Sequence, residues 1–230
     1  MTPAPAATKA RAVAARDEAS RDGRRVRGAN TRRAILRRSM EIASVEGLDG
    51  LSLAGLAADL EMSKSGLFAH FGSKEELQLS TLRAARRVFS DRAVTPAEDV
   101  PEGIRRLEAL LQTWFHYIVT DAFLGGCVLM QAAAEYDARP GPVRDLVAES
   151  MGMWMKLLTE QARAAVERGE LDEATDPAQL AWELHAIGLA LNWDNQLYGG
   201  GTAANRAATA LTARLRAAAT KKGRKRLSAI

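Results

Sequence analysis

The stretch from Ser52 to Phe71, SLAGLAADLEMSKSGLFAHF, limits this chain more than any other. Leu53, Leu56, Ala57 and Leu60 recur at the spacing of one helix face, and Ser52 precedes them as an N-cap. Glu61 and Met62 make a tight turn, after which Ser63 caps a second helix. The apolar side of that helix is Leu67 and Phe71. Lys64, Ser65, Gly66, Ala69 and His70 leave its other side small, polar or basic. This pattern predicts a helix-turn-helix whose second helix must approach another surface closely, as in the major groove of DNA.

The run from Ser63 to Leu77, SKSGLFAHFGSKEEL, closely resembles the recognition-helix segment of the TetR family of bacterial repressors. The flanks are similar too: Thr31-Arg32-Arg33-Ala34-Ile35-Leu36, then Glu46-Gly47-Leu48 and Leu51-Ser52. The resemblance covers residues 29–89. It implies an N-terminal three-helix DNA-binding domain there and a divergent C-terminal helical domain that binds an inducer. Ser65 and Gly66 are the expected points of closest approach to base edges. Lys64, His70 and Lys74 are the expected phosphate or mixed contacts, with Ser52, Ser63 and Phe68 completing the DNA-binding set. Phe68 stands where the family usually has Tyr, so a phenolic hydrogen bond to phosphate is missing. Lys74 opens a helix, where the dipole disfavours a cation unless a phosphate docks beside it, and the resemblance implies that role.

The net charge of +4 is unevenly spread. Residues 1–29 carry seven Lys and Arg against three acids, and residues 220–230 carry five against none. Residues 96–219 carry ten against seventeen acids. Positive ends and a negative middle fit a nucleic-acid contact at one end of the molecule. No run of apolar residues is long enough to span a membrane, and the basic N-terminus lacks the apolar core of a secretory signal. The single cysteine, Cys127, fits a reducing cytoplasm. A cytoplasmic protein is therefore expected.

Along the chain, residues 1–28 read as a mostly disordered basic arm, transiently helical from Ala10 to Ser20. A first helix is expected from Thr31 to Glu46, capped by Asn30 or Thr31. Ser73 with Glu76 forms a capping box for a fourth helix reaching Ala93. The second domain spans residues 96–219, with helices at 101–120, 127–138, 143–168, 177–198 and 203–219. Asp176-Pro177-Ala178-Gln179 is a strong helix start. Residues 220–230 form a basic tail. The sum is an all-α chain of about nine helices without a credible strand.

Catalytic chemistry finds little support. Gly50-Leu51-Ser52-Leu53-Ala54 lacks the last glycine of a nucleophile elbow, and Gly199, Gly201 and Ala204 join helices where a dinucleotide fingerprint needs a strand. His70, His116 and His185 are too widely separated for a spaced metal motif. No catalytic residue, metal site or cofactor is expected. Trp114, Tyr117, Met130 and Trp154 are the candidate ligand-pocket residues, because aromatic and Met side chains line apolar receptor pockets.

The expected function is a DNA-binding transcriptional repressor, a homodimer on a palindromic operator, released by a small apolar effector. Its expected dimer stripes are Leu180, Leu184, Ile187 and Leu191, with Ala204, Ala208, Leu211 and Leu215. Coupling is expected through the fourth helix, which starts at the DNA and ends against the second domain. Two alternatives belong to other classes. A helical protein–protein module would want exposed apolar anchors where Lys64 and Lys74 stand. A small-molecule enzyme would need a nucleophile–base pair or a metal spacing.

Overall fold

Serine and aspartate caps set the starts of four helices. The computed structural model describes residues 5–120 and 123–228, with side chains from residue 26 onward. Among them are ten helices: α1 (Pro5–Glu46), α2 (Leu53–Asp59), α3 (Lys64–Phe71), α4 (Lys74–Phe89), α5 (Ile104–Val119), α6 (Val128–Tyr136), α7 (Pro142–Glu167), α8 (Pro177–Tyr198), α9 (Ala203–Ala218) and α10 (Lys221–Arg224). Ser52 Oγ accepts from Gly55 N, Ser63 Oγ from Gly66 N and Ser73 Oγ from Glu76 N. Asp176 accepts from Ala178 N and Gln179 N. Each cap satisfies amides that the first helical turn leaves unpaired. The expected capping box at α4 is one-sided, since Glu76 turns instead to Ser80 Oγ and Arg83.

The N-terminal end of the chain differs from expectation. The backbone of residues 5–28, expected as a mostly disordered arm, is helical and continuous with α1, so α1 starts at Pro5 and not at Asn30 or Thr31. An Ala- and Arg-rich run has high helix propensity. Asn30 and Thr31 satisfy their side chains inside the helix, Asn30 with Arg33 and Thr31 with the Arg27 carbonyl. The arm's first four residues lie outside the described residues. At the other end the basic tail docks. Leu227 is buried, and Ser228 N donates to the buried carboxylate of Glu108 on α5 at 3.0 Å.

One apolar core runs through the molecule. Ile35, Leu48, Leu56, Leu67 and Leu77 fill it between α1 and α4, and Leu107, Leu111, Trp114, Leu158, Leu184 and Leu215 fill the helical layers beyond. In the second domain α8 packs on α5, α7 and α9, while α4 crosses from α1 to α7. No strand occurs among the described residues, only an isolated bridge between Leu171 and Ala219. None of their helices is long and apolar enough to cross a membrane.

The expected dimer stripes face inward only in part, since Ile187 is half-buried and Ala204 and Ala208 are exposed. Leu180, Leu184, Leu191, Leu211 and Leu215 are all buried in the chain's own core. Among the exposed apolar residues of α8, Trp182 (62%), Leu189, Trp193 (66%) and Leu197 share one stripe at helical spacing.

Candidate functional site

Helix α3 is held from behind. Leu67 and Phe71 are buried, and the Arg32 guanidinium lies 4.3 Å from the centre of the Phe71 ring. Arg32 also donates to the His70 carbonyl and to Ser80 Oγ, tying α1, α3 and α4 together. An ion pair between Arg38 and Asp59 fixes α2 on α1, and its hydrogen bond holds the Asp59 carboxyl below the usual carboxylate range. What remains outward on α3 is Lys64, Ser65, Phe68 and Ala69, with the capping Ser63 at its start. Ser63 Oγ and Ser65 Oγ lie 3.3 Å apart. Gly66 and His70 are half-buried at the edges of this face. Ser52 is exposed, although its hydroxyl already caps α2.

Lys74 lies at the start of α4 as expected, but its Nζ donates to the Asp49 carbonyl at 2.7 Å. That contact belongs to a polar clamp between α6 and the loop joining α1 to α2. The Glu135 carboxylate on α6 accepts from Leu48 N at 2.7 Å and Asp49 N at 2.8 Å. Tyr136 OH donates to Asp49 Oδ1 at 2.9 Å, Gln78 of α4 donates to the Leu48 carbonyl and to Tyr136 OH, and Arg139 pairs with Asp49. Hydrogen bonds from Arg139 and then Tyr136 hold the Asp49 carboxyl below its usual range. Gly47 makes this approach possible: its φ is +77°, and a Cβ there would stand 2.7 Å from Glu135 Oε2. The clamp escaped the sequence reading because its partners are 87 residues apart.

The opposite side of α6 faces a cleft of about 490 Å³ between α6 and α8, with Met130, Ala133, Ala134, Met151, Leu189 and Trp193 among its walls. A smaller cavity of about 20 Å³ adjoins it, and Met130 and Met151 line both. Three of the four expected pocket residues, Trp114, Met130 and Trp154, meet at the smaller cavity. Tyr117 lies outside both linings. Its ring packs edge-on to Phe89 at 5.7 Å, and burial pushes its hydroxyl well above the ordinary phenol value.

Phe89 and His185, not among the expected pocket residues, also line the small cavity, with Cys127, Leu129, Ser150 and Met151. His185 stacks on Trp114 with ring centroids 5.2 Å apart and planes 4° apart. Gly188 is what lets α8 come this close to Trp114, because a Cβ there would lie 2.1 Å from the indole ring. That mid-helix glycine was the available signal in the sequence.

Burial depresses the His185 pKa, so its ring favours the neutral form in the fold. The unfolded chain then takes up a proton that the folded chain resists, and stability should fall as pH drops below the ordinary imidazole range. In His185→Phe, which keeps a ring against Trp114, that share of the pH dependence should vanish. Urea titrations of both proteins above and below the imidazole range measure the difference.

Two family models match the chain. Residues 35–80 match that of the bacterial regulatory proteins, tetR family, and residues 103–211 match that of the tetracyclin repressor-like C-terminal domain. Among solved structures, a TetR transcriptional regulator from Chloroflexus aurantiacus is similar with a TM-score of 0.78 and 21% identity, over 84% of this chain and 98% of that one. A transcriptional regulator from Saccharomonospora viridis in complex with choline gives a TM-score of 0.70 and 22% identity, over 82% and 96%. AibR in complex with isovaleryl coenzyme A and operator DNA gives 0.63 and 20%, over 77% and 96%. No curated protein sequence matches the chain.

Proposed function

The chain belongs to the TetR family of bacterial regulatory proteins, DNA-binding regulators and not enzymes, and from that premise we propose a repressor released by a small, mainly apolar effector. It would occupy a palindromic operator as a homodimer. The observation that carries this reading is the double role of α6. One side of α6 walls the cleft, and the other holds the α1–α2 loop and the start of α4 through Glu135 and Tyr136. A ligand in the cleft would bias α6, and with it the headpiece. The route through α4 that the sequence suggested joins this one at Gln78. AibR, solved with both an acyl-coenzyme A and operator DNA, lends support to a fold that answers to two partners.

For the dimer, the exposed stripe of Trp182, Leu189, Trp193 and Leu197 supplies an apolar, aromatic surface of the kind that interface cores use. A two-fold axis would set two headpieces about 34–36 Å apart, the spacing of successive major-groove faces.

On the DNA side, Lys64, Ser65, Phe68 and the edge residues Gly66 and His70 form the surface offered to the groove, with Lys74 beside it for phosphate. Lys74→Ala should weaken binding to all sequences alike and lower the salt slope by about one. Ser65→Ala should shift base preference with little change in that slope. Fluorescence anisotropy on operator and scrambled duplexes across a salt series tests both. An unchanged affinity and slope for Lys74→Ala would reject the docking arrangement.

A further inference from the structure

Residues lining the small cavity and the adjoining cleft carry buried polar atoms that the protein leaves unanswered. Trp154 is 4% exposed, and its Nε1 is buried with no protein hydrogen-bond partner. His185 Nδ1 and Asn192 Oδ1 are buried and unpartnered as well. Trp154 and His185 line the small cavity, and Asn192 lines the adjoining cleft. Buried polar groups without partners are rare in native folds, and three around one connected space need a chemical reason.

We infer that the effector is a neutral molecule with a flat apolar body and one carbonyl or hydroxyl oxygen, and that this oxygen accepts a hydrogen bond from Trp154 Nε1–H. The inference rests on the reading of this space as the effector site. The indole N–H is a donor only, so its partner must be an acceptor. A cavity of about 20 Å³ admits one oxygen-sized group and no more. The body then passes Met130 and Met151, which line both spaces and whose unbranched side chains adapt to irregular shapes. Beyond them the cleft offers Ala133, Ala134 and Leu189 to the body, and the Asn192 amide to a second polar group.

Charge settles what the oxygen can be. The small cavity is lined by Phe89, Trp114, Cys127, Met130, Trp154 and His185, among others, with no Lys, Arg, Asp or Glu. The imidazole is held neutral by burial, and burial likewise pushes up the Cys127 thiol. A carboxylate or phosphate would enter without a counter-charge, which is costly in a buried site. A carbonyl or hydroxyl gains the indole N–H without that penalty.

The test is calorimetric titration of the full chain with three bicyclic probes of similar shape: naphthalene, 2-naphthol and 2-naphthoate. The inference expects 2-naphthol to bind about tenfold tighter than naphthalene, the worth of one net hydrogen bond, and 2-naphthoate to bind worst. In Trp154→Phe, which keeps a ring and loses the N–H, that preference should shrink to near parity while naphthalene binding stays. The wild-type ranking stands by itself if that variant fails to fold. Equal binding of naphthalene and 2-naphthol, or tighter binding of 2-naphthoate, would overturn the oxygen anchor and leave the apolar effector site intact. Failure of all three to bind would overturn both.

Discussion

Replacing Trp182 and Trp193 together by glutamate is expected to leave the chain folded but monomeric at micromolar concentration, with operator affinity reduced at least about a hundredfold. Both rings are mostly exposed in the single chain, so charging them costs little of the core. In a dimer the same positions would bury two carboxylates per subunit without partners, which is strongly unfavourable. The loss on DNA follows from geometry. Two linked headpieces bind with an avidity about 10²–10⁴ above that of one, and a monomer forfeits it. Sedimentation velocity reports the mass, and anisotropy on the full palindrome and on one half-site reports the avidity. Trp193 also lines the cleft, so Trp182→Glu alone is the cleaner variant for separating assembly from ligand binding. A double variant that remains a dimer would reject α8 as the interface. Leu184→Glu would be a poor probe: Leu184 is fully buried within the chain, and charging it should unfold the domain.

Glu135→Ala is expected to separate effector binding from operator release. The Glu135 carboxylate takes two backbone amides of the α1–α2 loop, while the cleft is lined by other residues of α6. Removing it should leave the cleft intact and loosen the grip of α6 on the headpiece. If the effector weakens wild-type operator binding about a hundredfold, the coupling is about 2.7 kcal/mol. In Glu135→Ala that factor should fall below about tenfold, with effector affinity in the absence of DNA unchanged. Reciprocity gives a second reading of the same quantity, because operator must weaken effector binding by the same factor. Titrating effector with and without operator, in both proteins, measures it. A variant that keeps the full factor would return the coupling to α4 alone. Gly47→Ala should act in the same direction, since it combines a strained φ with a crowded carboxylate.

Some of this protein was written locally, and some was decided only when distant segments met. The starts of α2, α3, α4 and α8 were legible because each depends on a Ser or Asp and the amides two or three residues on. The lean outer face of α3 was legible for a similar reason: in so short a helix, Leu67 and Phe71 alone fix which side turns inward. Helix α8 was different. Leu180, Leu184 and Leu191 occupy one side of it and Trp182, Leu189, Trp193 and Leu197 another, so its apolar residues point to no single buried face. Only packing against α5, α7 and α9 chose the leucines for the core and left the tryptophans outside. The start of α5 shows the same limit. No side chain of its own caps it, and its Ile104 amide is taken at 2.9 Å by Glu170, 66 residues away. The clamp at Glu135 and the cavity at Trp154 and His185 are likewise contacts across the fold. A cap or a helical stripe is read within one or two turns of chain, whereas these depend on which helices come to lie side by side.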